Sequence, residues 1–243
     1  MTDYSSYSYN ERSYNGTGGD LMDERKRNAQ FHLLDNQANE QKRQKALKDR
    51  CEEYRERLRK RDPQEIAALA AVSLIKEQNG KLKLSGIHLL ETYTITWPEL
   101  TVTDGKDNPA DLNKEALWLH YLDRADGHPL TRRWVNLSEI GGLFYQQAFQ
   151  GYCGDELAEA WGGNLEGLRE KCLAVGGWEL DGPGDLAVEW RVLPRLPMCL
   201  CYRLHPDSGR TWATMLFDAA ANHYVAADVA AITAKELAEQ IKP

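Results

Sequence analysis

Residues 185–217 read DLAVEWRVLPRLPMCLCYRLHPDSGRTWATMLF. Asp185–Val192 and Met198–Leu204 are dense in apolar residues and are joined by Pro194-Arg195-Leu196-Pro197, which reads as two strands meeting at a turn. Thr211–Phe217 is a third apolar run directly behind them. Gly182-Pro183-Gly184-Asp185 is a loop that leads into the first strand. Strand-like runs gathered in a block, with no alternation of strand and helix, point to an α+β fold built on an antiparallel sheet with flanking helices.

The chain upstream supplies the helices. Asp62-Pro63-Gln64-Glu65 is a start signal: a cap, a proline at the first helical position and a glutamate that completes a capping box. The run that follows, IAALAAVSLIKEQ, is expected to continue the helix to Asn79-Gly80. Residues 81–103 alternate and carry β-branched and aromatic side chains, giving two strands, the second broken near Trp97-Pro98. Asp111 opens a helix that runs to Asp126-Gly127, and a short strand is expected around Trp134. Ser138 is expected to cap a helix reaching Phe149 and ended by Gly151, with further helices over Glu156–Trp161 and from Asn164 to Gly176-Gly177. The end is read as Asp228–Ile232 followed by a last helix with Thr233 and Glu236 as its capping box.

Before Asp62 the composition changes. Residues 1–62 form a polar arm of extended tail plus helix, set against a globular domain over 63–243. The arm carries 14 Lys/Arg against 12 Asp/Glu, and the rest carries 16 against 25, so a slightly basic arm precedes an acidic body. Tyr4, Tyr7, Tyr9 and Tyr14 lie among Ser, Asn and Gly. Composition alone makes that stretch a disordered tail, while spaced tyrosines make good anchors once a segment docks. From Asp20 to Arg61 there is no Pro and no Gly, and helix formers dominate. Leu47, Cys51, Tyr54 and Leu58 share one helical stripe, and Phe31, Leu34 and Ala38 form a shorter one out of phase with it. Tyr4, Tyr7, Tyr9, Tyr14, Phe31, Leu47, Tyr54 and Leu58 are therefore the expected partner-binding residues. The partner would be a larger protein subunit or a second copy of the chain.

The whole-chain charge of -7 argues against nucleic acid as the main partner. No apolar stretch has the length of a membrane span. Five cysteines, an odd number without a regular framework, and the absence of an apolar leader at the start give the expectation of a reduced, cytoplasmic protein.

Motifs that carry chemistry are few. Cys199-Leu200-Cys201 puts two thiols on one side of a strand with His205 just beyond, a set that would hold a soft metal. The plainer reading of the same residues is as buried small apolar groups, and no cofactor is expected. Arg191, Arg195 and Arg203 on neighbouring segments form a candidate anion-binding group, with salt bridges to the acidic body as the plainer reading. Cys153 with His120, His128 or His223 has the residue types of a nucleophile pair, without a spacing that supports it. Neither a Gly-x-Ser-x-Gly elbow nor a Walker loop is present.

The segments ALWLHYLDRADGHPLTRRWVNLSEIGGLFYQQAF, GDLAVEWRVLPRLPMCLCYRLHPD and TMLFDAAANHYVAADVAAI resemble a prokaryotic family of unknown function. The resemblance rests on His120-Tyr121-Leu122, Trp134-Val135, Leu193-Pro194-Arg195-Leu196-Pro197 and Leu216-Phe217-Asp218, in that order, and covers residues 63–243. Members of that family come largely from anaerobes and are often labelled iron–sulfur cluster proteins. Here only Cys51 precedes residue 153, so the cysteine-rich segment of some relatives is missing and the cluster label does not carry over. The resemblance implies an anaerobic setting near redox or corrinoid enzymes and supplies no catalytic residue. The expectation is a non-catalytic accessory subunit docking through its arm. The alternatives are a small protein that handles a metal, a corrinoid or an iron–sulfur group, and an enzyme of unrecognised type with a pocket near Arg191, Asp218 and His120.

Overall fold

The computed structural model describes residues 39–182, 184–205 and 208–243. Two compact units divide the chain, Met1–Ala46 and Leu47–Pro243. The elements are α1 (residues 39–58), α2 (Pro63–Ala70), β1 (Ser73–Lys76), β2 (Leu82–His88), β3 (Glu91–Trp97), β4 (Val102–Asp104), α3 (Leu112–Arg124) and β5 (Trp134–Val135). After them come α4 (Gln146–Phe149), α5 (Glu156–Trp161), α6 (Leu165–Ala174), β6 (Trp178–Glu179), β7 (Leu186–Leu193), β8 (Leu196–Leu204), β9 (Thr211–Asp218) and α7 (Ala227–Gln240). The fold is α+β: antiparallel sheets flanked by helices.

One sheet has four strands in the order β1-β2-β3-β4, and the other has five in the order β5-β9-β8-β7-β6. Every pairing is antiparallel. The β2–β3 turn joins the two sheets, where the Leu89 N–H donates to the Val192 carbonyl at 3.1 Å. The inner face of the larger sheet carries Val188, Trp190, Met198, Leu200, Tyr202, Met215 and Phe217, all buried. The Tyr121 hydroxyl knits three segments together: it donates to the Ala70 carbonyl at 2.6 Å and accepts from the Arg195 N–H at 3.0 Å.

Local signals explain most element ends. Asp62 caps α2 by accepting from the Gln64 N–H at 2.9 Å, and Asp111 caps α3 through the Asn113 and Lys114 N–H groups. Three expectations need correction. The helix beginning at Pro63 stops at Ala70, where Ala71 adopts left-handed geometry, and Ser73–Lys76 is a strand. Asn79-Gly80 therefore belongs to a β-hairpin turn, closed by Gly80 N–H to the Glu77 carbonyl, and does not end a helix. The helical stretch after Val135 is capped by Asn136 and Glu139, not by Ser138, and runs through short 3-10 and α turns into a π turn over Gln150–Asp155, so Gly151 does not end it. The C-terminal helix is continuous from Ala227 to Gln240, and the Thr233 hydroxyl bonds back to the Val229 carbonyl within it instead of capping a new start.

Candidate functional site

The apolar stripe of α1 is a part of the body's core. Leu58 is fully buried, Cys51 and Tyr54 nearly so, and Leu47 is half-buried. The Tyr54 hydroxyl meets His120 Nδ1 at 2.9 Å, while His120 Nε2 accepts the Ala226 N–H at 3.0 Å. An accepting Nε2 places the proton of the neutral ring on Nδ1, facing Tyr54. Burial holds the His120 pKa down to about 4, with the Arg124 charge adding to the shift. The basic face of the same stretch is used in the same way. Arg57 forks onto Asp123 at 2.7 and 3.1 Å, Arg55 pairs with Glu115, and Arg61 donates to the Asp123 carbonyl at 3.0 Å. The surface expected to receive a partner at Tyr54 and Leu58 is thus covered by the chain's own body. Tyr4, Tyr7, Tyr9, Tyr14 and Phe31 lie outside the described residues.

Antiparallel partners share a face, so register defines the outer side of the five-stranded sheet. Glu189, Cys199 and Leu216 stand in one row with Trp178 opposite Glu189, and Ala187, Cys201 and Thr214 stand in the next. Arg203 and Trp212 form the row beyond. Glu189 is buried at the centre, where burial raises its pKa and Arg132 opposes the rise by donating to both carboxylate oxygens at 3.1 and 3.2 Å. Cys199 and Cys201 do face one side. Among the described residues, however, no three His, Cys, Asp or Glu side chains are arranged to hold a metal, and His205 lies exposed past the strand end. Burial pushes the Cys199 thiol up to about 12 and raises that of Cys201, so both are protonated at neutral pH and poor ligands or nucleophiles. Cys153, buried on the π turn, is likewise pushed up to about 12.

The three arginines do not converge. Arg191 pairs in register with Pro197 and Arg203 with Trp212, six residues further along β8, or about 20 Å. Arg191 borders a cleft of about 410 Å³ beside Ser73 and Ser85, and Arg195 sits at the β7–β8 turn. Arg203 lies 5.8 Å from the Trp212 ring centroid. It lines a basin of about 580 Å³ with Trp212, His205, Arg210, Asp185 and Gly184. The residues of the enzyme alternative are also occupied: Asp218 is buried and accepts from the Thr131 N–H and hydroxyl and from the Arg132 and Ala220 N–H groups, at 2.7 to 3.0 Å.

Two features escaped the residue patterns. Arg210 lines the basin at the end of the β8–β9 ladder, where the His205 N–H donates to the Arg210 carbonyl at 2.8 Å. Leu143, Phe144 and Tyr145 form a turn in which Phe144 is 94% exposed and its neighbours 69% and 55%. That turn is framed firmly. The Gly142 N–H donates to the Leu137 carbonyl and the Tyr145 N–H to the Gly142 carbonyl, while the Gln146 side chain accepts from the Ser138 N–H. A side chain at Gly142 would meet Leu137 Cγ at 2.4 Å and its carbonyl oxygen at 2.9 Å, so only glycine fits there. The sequence signal was Gly141-Gly142 followed at once by three large apolar residues.

Two antiparallel sheets braced by helices, with an aromatic and arginine-bearing outer face, define the class of the fold. The chain belongs to a family described as a domain of unknown function, DUF3786, whose profile matches residues 62–240. No curated protein and no solved structure matches it. The folded unit from Leu47 to Pro243 is longer at its start than the matched stretch, and α1 supplies the difference.

Proposed function

We propose that the chain is a non-catalytic accessory or structural subunit of a larger enzyme assembly, docking on a protein partner through its N-terminal residues and the Leu143–Tyr145 turn. The observation that carries this reading is Phe144: a phenylalanine held almost wholly in solvent by a hydrogen-bonded frame. Three large apolar residues side by side in water cost solvation free energy that folding leaves unrecovered, and a partner's surface recovers it. Aromatic side chains on a rigid turn are also the residue type that dominates interface energetics. The anaerobic setting implied by the resemblance, with redox or corrinoid enzymes as the partner class, belongs to the same proposal.

The test is native mass determination of the protein purified without oxygen from its own source, repeated with Phe144→Asp. The expected result is a stoichiometric complex with a larger subunit that the variant loses while its circular dichroism is unchanged. A free monomer, or a complex indifferent to the substitution, overturns the role given to the turn.

A further inference from the structure

We infer that the basin at the end of the β8–β9 ladder binds a small ligand made of a planar aromatic ring and an anionic group, a phosphate or a carboxylate. This inference stands apart from the docking role, because the basin shares no residue with the Leu143–Tyr145 turn. Its base is set by register: Arg203 and Trp212 are direct cross-strand partners, and the guanidinium lies over the indole. Arg210 and His205 line it at the end of that ladder. Three nitrogen-bearing side chains therefore face one space of about 580 Å³ on a body whose net charge is negative. Among the described residues neither Arg203 nor Arg210 forms an ion pair.

Among the described residues of the wall, the carboxylate of Asp185 does not cancel that charge by contact with the arginines. Asp185 Oδ2 is turned to the backbone and accepts the Leu204 N–H at 2.7 Å. The wall itself depends on Gly184, whose φ of +109° and close packing exclude a side chain. A Cβ there would lie 2.5 Å from the Tyr202 carbonyl oxygen and 3.1 Å from Cys201 Sγ. That closeness lets residues 184–185 lie along β8 as a third side. Guanidinium forks recognise the oxygens of phosphate and carboxylate, and an exposed indole offers a stacking surface to a planar ring. Trp212 is 44% exposed, and stacking on a ligand would cover it.

The experiment is isothermal titration of the full chain with adenosine monophosphate and with indole-3-carboxylate, against adenosine, indole and inorganic phosphate as partial ligands. At least one of the two complete ligands is expected to bind saturably at one site, and its partial counterparts about tenfold or more weaker, since each half supplies part of the contact. Arg203→Ala and Arg210→Ala are each expected to weaken it about tenfold. Trp212→Phe should stay within about threefold, where Trp212→Ala loses about tenfold. Affinity should also fall as salt rises. Which complete ligand binds decides between phosphate and carboxylate. Failure of both to bind the folded protein overturns the inference, and so does binding that ignores both arginine substitutions. Arg203→Lys, which keeps the charge and loses the fork, guards against misfolding: it should weaken binding with an unchanged circular dichroism spectrum.

Discussion

The stripe of α1 and the turn at Leu143–Tyr145 are both clusters of large apolar residues next to helical structure, and the molecule treats them in opposite ways. Leu58 and Tyr54 are covered by α3 and its surroundings, with arginines on either side clamped to acidic groups of the body. Phe144 is held out by glycine geometry and backbone hydrogen bonds that leave nothing above it among the described residues. Apolar pattern alone fixes that a face prefers to leave water. Whether its cover comes from the same chain is decided by geometry, by the length and direction of the segment that follows. α1 leads straight into α2 through Asp62 and is drawn back against the body, whereas Gly141-Gly142 reverses the chain before the next apolar residues can turn inward.

The sharpest way to break this contrast is truncation. Removing residues 1–61 strips Cys51, Tyr54 and Leu58 from the core, at a cost on the order of 5 kcal/mol from lost burial, which is comparable to the whole stability of an ordinary domain. The body is then expected to unfold or become molten by urea titration and near-UV circular dichroism. Removing residues 1–46 takes none of those three residues and should leave a cooperative transition. If the shorter body folds normally, α1 is a docked arm after all. Leu58→Ala is the single-residue form of the test, with an expected loss of about 2–5 kcal/mol.

A graded effect comes from pH. His120 is neutral in the fold, with its pKa held down to about 4 by burial, against about 6.5 in an unfolded chain. His88, buried beside Lys114, is held down to about 3 for the same reason. The unfolded chain therefore binds protons that the folded one refuses. Stability is full above pH about 6.5 and falls as pH drops toward about 4, at about 1.4 kcal/mol per pH unit for each histidine. Urea midpoints measured across that range should show the slope, and His120→Asn should remove about half of it. A midpoint flat between pH 6.5 and 4.5 contradicts the burial of both rings.

The architecture was legible in the sequence wherever one local signal settled the matter. β7, β9, α3 behind Asp111 and α6 behind Asn164 lie where their apolar runs and caps place them, to within one or two residues, whereas β8 begins at Leu196, inside the stretch expected to be the joining turn, so that only Pro194 and Arg195 turn the chain. Reading failed where two signals competed for the same residues. Ala67–Ala71 favours helix, but Ser73–Lys76 form a strand whose hairpin partner lies downstream, and pairing prevailed over propensity. The candidate site was less legible for a related reason. Cys199 and Cys201 do share a face, as period-two spacing requires, yet spacing is silent on whether His205 arrives with them. Arg203 was visible as a residue. Its pairing with Trp212 is a matter of register between β8 and β9, and Arg210 joins them at the end of that ladder.

The smallest effect is expected at the turn, and its smallness is the point. Phe144→Ser removes a side chain that is 94% exposed, so almost no burial is lost on folding, and stability should change by no more than about 0.5 kcal/mol. The side chain is in water in the folded and the unfolded chain alike, so its loss is close to neutral, whereas a smaller cut in α1, Leu58→Ala, costs several kcal/mol. The two substitutions measured side by side in urea separate an apolar residue that holds the molecule together from one that the molecule presents. A loss above about 1.5 kcal/mol for Phe144→Ser means that the phenylalanine is covered in solution by this chain itself. The contrast between the two regions then disappears, and with it the reason to assign the turn to a partner.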